Sequence, residues 1–167
     1  NFGSPEKPDV MGEFVECLNG MKEACEFLNF PVVSGNVSFY NETNSKSIFP
    51  TPVIGGIGLF DNLNKIINMK TKKVGNLIII VGKTFGHLGQ SSFMREIYSA
   101  NEGSPPEINL TNEKNNGQSI LNLINLNLVE SCHDVSSGGM LISLAEMSMS
   151  SMLGLKILKP KKFVDLN

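Results

Sequence analysis

Histidine is scarce in this chain of 167 residues: His87 and His133 are the only two, and although Cys132 adjoins His133, no further cysteine or histidine stands at ligand spacing from either. Nothing in the sequence therefore suggests a Ser-His-Asp triad, a zinc site or a nucleophilic cysteine. Cysteine is scarce too. Cys17, Cys25 and Cys132 are odd in number and scattered, so neither a disulfide framework nor a metal-ligand spacing emerges, and a reducing cytoplasm fits best. No apolar run approaches the roughly 20 residues that a membrane span needs; the longest are residues 77–81 and the glycine-laced 53–60. A soluble cytoplasmic protein without a membrane partner is the expectation. An excess of charge is also lacking. Fourteen basic and sixteen acidic residues give a net charge of -2, so no broad field draws the chain to nucleic acid, although a local anion site stays open. No leader-like segment stands at the front, and the chain opens on NFGSPEKP rather than on methionine, so a piece excised from a longer protein is expected.

What the chain does have is 41 % hydrophobic residues against 18 % charged, enough to bury a core in one domain or two small ones. After Pro8 and a candidate cap at Asp9, apolar residues recur every three or four positions and predict a helix over residues 10–28. Further helices are predicted over residues 91–99, 110–126 and 140–152. The stretch PVVSGNVSFYNE reads as two short strand runs around Ser34-Gly35-Asn36, and residues 53–60, 76–81, 129–133 and 154–158 read as strands. Residues 61–75 turn polar and lysine-rich and suggest a linker. Helix alternates with strand in the second half, so the expected fold class is α/β, or α+β.

Three stretches carry residue types that suit chemistry. In Gly35-Asn36-Val37-Ser38 a glycine bares its N–H, an amide offers an oxygen and a hydroxyl follows, a grouping that suits phosphate and a hard cation. The same residues also suit a plain tight turn between strands. In His133-Asp134-Val135-Ser136-Ser137-Gly138-Gly139 a carboxylate and hydroxyls precede paired glycines where a helix begins. Helix starts attract anions, and an aspartate beside one can hold the accompanying cation; an ordinary helix capped by Ser136 or Ser137 is the alternative. The third stretch, Lys83 to Ser92, fails the P-loop pattern and reads as a loop shaped for helix entry, with His87 either a ligand contact or a surface or capping residue. Glu42 can reach a metal or a substrate hydroxyl, or simply be solvated. Met140, Met147, Met149 and Met152 need no role beyond packing.

The segments NFGSPEKPDVMGEF, EACEFLNFPVVSGNVSFYNET, FPTPVIGGIGL, HLGQSSFMREI and SCHDVSSGGMLISLAEMSM occur here in a characteristic order. That order resembles the second half of the phosphoribosylformylglycinamidine synthases, of the small multi-subunit bacterial type, within the PurM-like aminoimidazole ribonucleotide synthetase superfamily. The resemblance implies ATP-dependent conversion of formylglycinamide ribonucleotide to its amidine in purine biosynthesis, with magnesium as cofactor. It implies nucleotide contacts at Gly35 and Ser136, a substrate contact at Ser38 and magnesium ligands at Asn36 and Asp134. Two departures weaken a metal claim: Ser137 stands where the family usually has a second aspartate, and Ser92-Phe93 where Glu-Tyr is common.

The implied architecture is PurM-like and two-domain. A β-rich end of the amino-terminal domain would fill residues 1–68, and an incomplete α/β carboxy-terminal domain residues 69–167. Implied partners are the missing first half of the enzyme, a glutaminase and a small adaptor subunit, with exposed edges predicting self-association as a homodimer or burial against that first half. Two other readings stay open: a half that holds nucleotide as a scaffold without turnover, and another ATP-dependent enzyme of the superfamily.

Overall fold

The computed structural model describes residues 1–158. Its regular structure is four helices, α1 (Pro8–Leu28), α2 (Ser92–Tyr98), α3 (Leu110–Asn125) and α4 (Gly139–Ser151), and a single 3₁₀ turn at Leu63–Lys65. Among the described residues the one ladder is the antiparallel hairpin of β1 (Glu42–Thr43) and β2 (Lys46–Ser47), with Glu42 opposite Ser47. The chain divides into two compact units, Asn1–Leu59 and a second from Phe60 onward.

Local chemistry closes several of the helix ends. Pro8 occupies the first turn of α1, where its missing N–H removes no helical bond. Asp9 lies inside that turn and is not the cap; Lys7 holds the cap position and makes no side-chain capping bond. The helix ends at Asn29, left-handed at φ 55°, with the Phe30 N–H on the Cys25 carbonyl at 2.9 Å. The Ser91 hydroxyl accepts the Met94 N–H at 3.2 Å to start α2, and the Asn109 side chain accepts the Asn112 N–H at 2.9 Å to start α3.

The segments expected as strands behave differently. Apart from Glu42, none of residues 31–42, 53–60, 76–81, 129–133 and 154–158 joins a ladder. In place of a β-rich first portion, the first unit holds a 21-residue helix and a two-residue hairpin. The physical reason is that a strand's N–H and C=O groups are satisfied only by a neighbouring strand, and among the described residues no such neighbour stands beside these segments. Their apolar side chains lie open as a result: Leu59 is 95 % exposed, Val33 and Leu77 each 89 %.

The first unit is organised around Phe2. Its ring lies 4 % exposed, edge-on to Phe14 of α1 at 5.1 Å, and Phe14 in turn meets Phe39 at 5.0 Å. Val10, one turn before Phe14, is the other buried apolar residue described. Main-chain bonds sew the first residues to the stretch after α1: the Phe2 N–H donates to Ser38 at 2.9 Å and the Tyr40 N–H to Gly3 at 3.0 Å. Gly3 is needed for this approach, since a Cβ there would lie 2.4 Å from the Ser47 hydroxyl.

In the second unit the lysine-rich stretch is tied down. Lys65 donates to the Asn125 carbonyl at 2.8 Å, at the end of α3. Lys73 and Asn76 both reach the Glu130 carboxylate, at 2.5 and 2.7 Å. The Lys73 ammonium first, then the Asn76 amide, hold that carboxyl below the usual glutamate range. The Cys132 N–H donates to the Asn68 carbonyl at 3.0 Å, so residues 65–76 and 125–132 form one patch.

Phe2→Ala removes the centre of the aromatic group, and the first unit is expected to lose about 3 kcal/mol. Faster hydrogen exchange along α1, with the second unit's amides unchanged, is the measurement that checks it.

Candidate functional site

The His133 to Gly139 stretch delivers the chain to α4 through two successive left-handed residues, Gly138 at φ 85° and Gly139 at φ 71°. Any side chain is strained in that region. At Gly138 a Cβ would also fall 2.4 Å from Ile142 Cγ1. The Gly139 N–H closes the turn on the Ser136 carbonyl at 3.0 Å. Gly138 holds the cap position of α4, and among the described residues no side chain caps it, so a helix capped by Ser136 or Ser137 is not what forms. Its opening N–H groups, which carry partial positive charge, are left to a ligand or solvent.

Asp134 stands just before this turn with its side chain 79 % exposed. Its own backbone N–H, then the His133 ring, hold the carboxyl below the usual aspartate range. His133 is 13 % exposed and lies between two carboxylates, with Nδ1 3.1 Å from Asp134 and Nε2 3.0 Å from Glu146 of α4. The Glu146 hydrogen bond is the main reason that the imidazolium is favoured; burial opposes it, and Asp134 adds to it. The Ser143 hydroxyl, 6 % exposed as a residue, donates to the Asp134 carbonyl at 3.0 Å. Ser143 and Glu146 were not singled out by sequence. Their helical spacing of three is visible there, but their contact with residues ten or so earlier depends on the fold.

In the first unit, Gly35, Asn36 and Ser38 are all exposed on irregular backbone. Neither Gly35 nor Asn36 is left-handed, so the tight turn that these residues also suit does not form. A Cβ on Gly35 would meet open space. Ser38 is anchored: its hydroxyl accepts from the Asn41 amide at 3.1 Å, and its carbonyl accepts the Phe2 N–H. Tyr40, two residues on, is held at φ 59°, a conformation unusual for a bulky residue, with its hydroxyl donating to Glu6 at 3.3 Å.

Two further candidates are taken up by the fold. Glu42 pairs with Lys7 at the start of α1, which holds its carboxyl below the usual range. His87 Nε2 lies 2.7 Å from the Ser104 carbonyl, a contact in which the ring donates. The Gln90 amide donates to Gly103 at 3.0 Å, so both side chains staple the loop on either side of α2. A Cβ on Gly89 would come 2.4 Å from that same Ser104 carbonyl. Asn36 and Asp134 thus belong to different compact units, whereas Asp134, Ser136, His133 and Glu146 are brought together. A depression beside the hairpin, lined by Thr43, Lys46 and Phe49 among others, holds none of the candidate residues.

Comparison with known proteins matches residues 73–164 to the model of the AIR synthase related protein C-terminal domain. Residues 1–60 match the corresponding N-terminal domain. The phosphoribosylformylglycinamidine synthase subunit PurL of Bradyrhizobium diazoefficiens is 51 % identical over 158 residues, which is 95 % of this chain and 22 % of that protein. The subunit of the same name from Pelagibacter ubique is 50 % identical over 165 residues, 99 % of this chain and 23 % of its own length. That of Azorhizobium caulinodans is 47 % identical over 157 residues, 94 % and 21 %. The chain thus spans about a fifth of the length of these relatives.

The His133 cluster has a defined pH response. A raised histidine value means that its contribution to stability is complete below the ordinary histidine pKa of about 6.5 and is lost as pH rises through the folded value. The lowered Asp134 value contributes above about 3.9 and is lost as pH falls through the folded one. The loop is expected to hold to α4 most firmly in the weakly acidic window between. An NMR titration of His133 should show a midpoint above the ordinary histidine range that falls in Glu146→Ala. Gly138→Ala should cost at least about 1–2 kcal/mol from the left-handed backbone alone, read as loss of α4 protection in hydrogen exchange.

Proposed function

This chain belongs to the AIR synthase related family, and from that premise we propose that it supplies nucleotide- and cation-holding residues to an ATP-dependent, amidine-forming ligase, phosphoribosylformylglycinamidine synthase. In that reaction the amide oxygen of formylglycinamide ribonucleotide takes the terminal phosphoryl group of ATP. Ammonia adds at the same carbon, and phosphate departs with the oxygen, leaving the amidine. Such chemistry needs positioning and charge neutralisation more than an activated nucleophile, in keeping with sites made of glycine, asparagine, serine and aspartate.

The observation that carries this reading is the start of α4, uncapped by any side chain, reached through Gly138 and Gly139, with the exposed Asp134 carboxylate just before it. Bare N–H groups suit phosphate oxygens. Magnesium keeps most of its waters and takes one or two carboxylates beside phosphate, and the donor set fits that requirement. Asp134 offers one exposed carboxylate, and among the described residues no group of three His, Cys, Asp or Glu forms an all-protein cage. When bound, the ion would neutralise charge on the phosphate oxygens. In this reading Asp134 and Asn36 hold magnesium, Gly35 and Ser136 contact nucleotide, and Ser38 contacts substrate. The anchored Ser38 main chain, and the Ser136 carbonyl that closes the turn before α4, support those assignments.

The uncovered apolar residues of segments 53–60 and 74–81 support burial against a further half of the enzyme or a second copy, with a glutaminase and a small adaptor subunit completing the assembly. A second reading, a half that holds nucleotide without turnover, draws on one observation. Both histidines are already engaged, His87 with Ser104 and His133 with two carboxylates, which favours holding over proton transfer here.

Calorimetric titration of magnesium-ATP into the chain, with Asp134→Ala and Asn36→Ala beside it, separates these readings when amidine formation is measured after adding the rest of the enzyme. Catalytic membership predicts that activity returns on addition and falls at least tenfold in both variants. Tight nucleotide retention with undiminished turnover in both variants would leave the holding role alone.

A further inference from the structure

An exposed aspartate on irregular backbone has no sheet to fix its side chain, and Asp134 occupies such a position at the end of a segment that joins no ladder. Its orientation comes from α4 itself. The Ser143 hydroxyl, on a buried residue, grips the Asp134 main-chain carbonyl at 3.0 Å. Glu146, three residues further on and therefore on the same helical face, holds His133 Nε2 at 3.0 Å. The opposite ring nitrogen of His133 lies 3.1 Å from Asp134 Oδ1. Main chain and carboxylate are thus each tied to the helix that the loop introduces, and the contacts run in a closed circuit from Asp134 through His133 and Glu146 back to Ser143.

The trio of His133, Asp134 and Glu146 is not itself a metal cage. With a carboxylate at each nitrogen, the imidazole serves as an N–H donor on both sides and offers no lone pair to a cation. The remaining Asp134 lone pairs are the ones that stay available. Partners of this kind, one contact removed from a ligand, commonly change metal affinity 10- to 100-fold when removed.

We propose that Glu146 and Ser143 are positioning residues that fix the Asp134 carboxylate for cation binding, Glu146 acting through the His133 ring and Ser143 through the main chain. The inference rests on the assignment of Asp134 as a cation ligand, and its test keeps the two apart. Manganese serves as the probe, titrated into the full chain with ATP and followed by electron paramagnetic resonance. Asp134→Ala should abolish the binding, whereas Glu146→Ala and His133→Ala should each weaken it about tenfold, and the double variant no further. Ser143→Ala should weaken it as well. Glu146→Gln should bind within about threefold of the unchanged chain, because its amide oxygen still accepts the Nε2 proton. Undiminished binding in Glu146→Ala, with Asp134→Ala inactive, overturns the positioning role alone. Equal loss in Glu146→Ala and Glu146→Gln, accompanied by loss of α4 helicity in circular dichroism, makes Glu146 merely structural and also overturns it. Absence of manganese binding by the unchanged chain, or binding untouched in Asp134→Ala, overturns the assignment of Asp134 and the circuit with it.

Discussion

A helix closes its hydrogen bonds inside its own segment, whereas an extended segment must find them on a neighbour. That difference organises everything described for this chain. The four helices stand because each holds its own backbone, and several ends carry a residue that suits them, such as Asn29 after α1 or Ser91 before α2. The valine-, isoleucine- and leucine-rich segments between them have the composition of strands, but composition supplies no partner. They run irregularly, with side chains such as Leu59 and Leu77 turned to solvent.

Within that frame, helix-to-loop contacts do the work that sheets would otherwise do. In the first unit, α1 carries Phe14 to the ring of Phe2 and thereby holds the first residues of the chain against the stretch that contains Ser38. In the second, α4 holds residues 133 and 134 through Glu146 and Ser143. Both candidate sites lie on irregular backbone that a helix fastens from one side. Function of the kind proposed, where oxygens and N–H groups must sit still around phosphate, needs that fastening.

The helices were legible in the sequence because periodicity and termini are local properties. The predicted ranges agree with the observed ones to within two residues at every end, the usual scatter of helix boundaries. Asp9 was misjudged as a cap because an acidic residue beside a proline suits both the cap and the first turn, and Pro8 itself takes the first helical place. The expected strands do not form, because pairing depends on residues far away or on another chain, which a segment's own composition does not report. At the candidate site the chemistry of Asp134, Ser136 and the two glycines could be read from residue types. The link from His133 to Glu146 could not, because nothing in residues 134–145 signals that the helix will fold back along the segment before it. Gly35 and Asn36 show the converse: a glycine-asparagine pair that suits a tight turn adopts none.

The small buried set, Phe2 and Val10 among the described apolar residues, bears on how this chain responds to temperature. The heat-capacity change of unfolding is driven by apolar surface newly exposed to water, about 0.45 cal/K/mol per Å², and little of that surface is hidden to begin with. The enthalpy of unfolding then varies weakly as the protein is warmed, and the stability curve is shallow rather than domed. Urea, which acts in proportion to surface uncovered, has a correspondingly gentle grip. Covering the open valines and isoleucines by any second surface would restore the curvature.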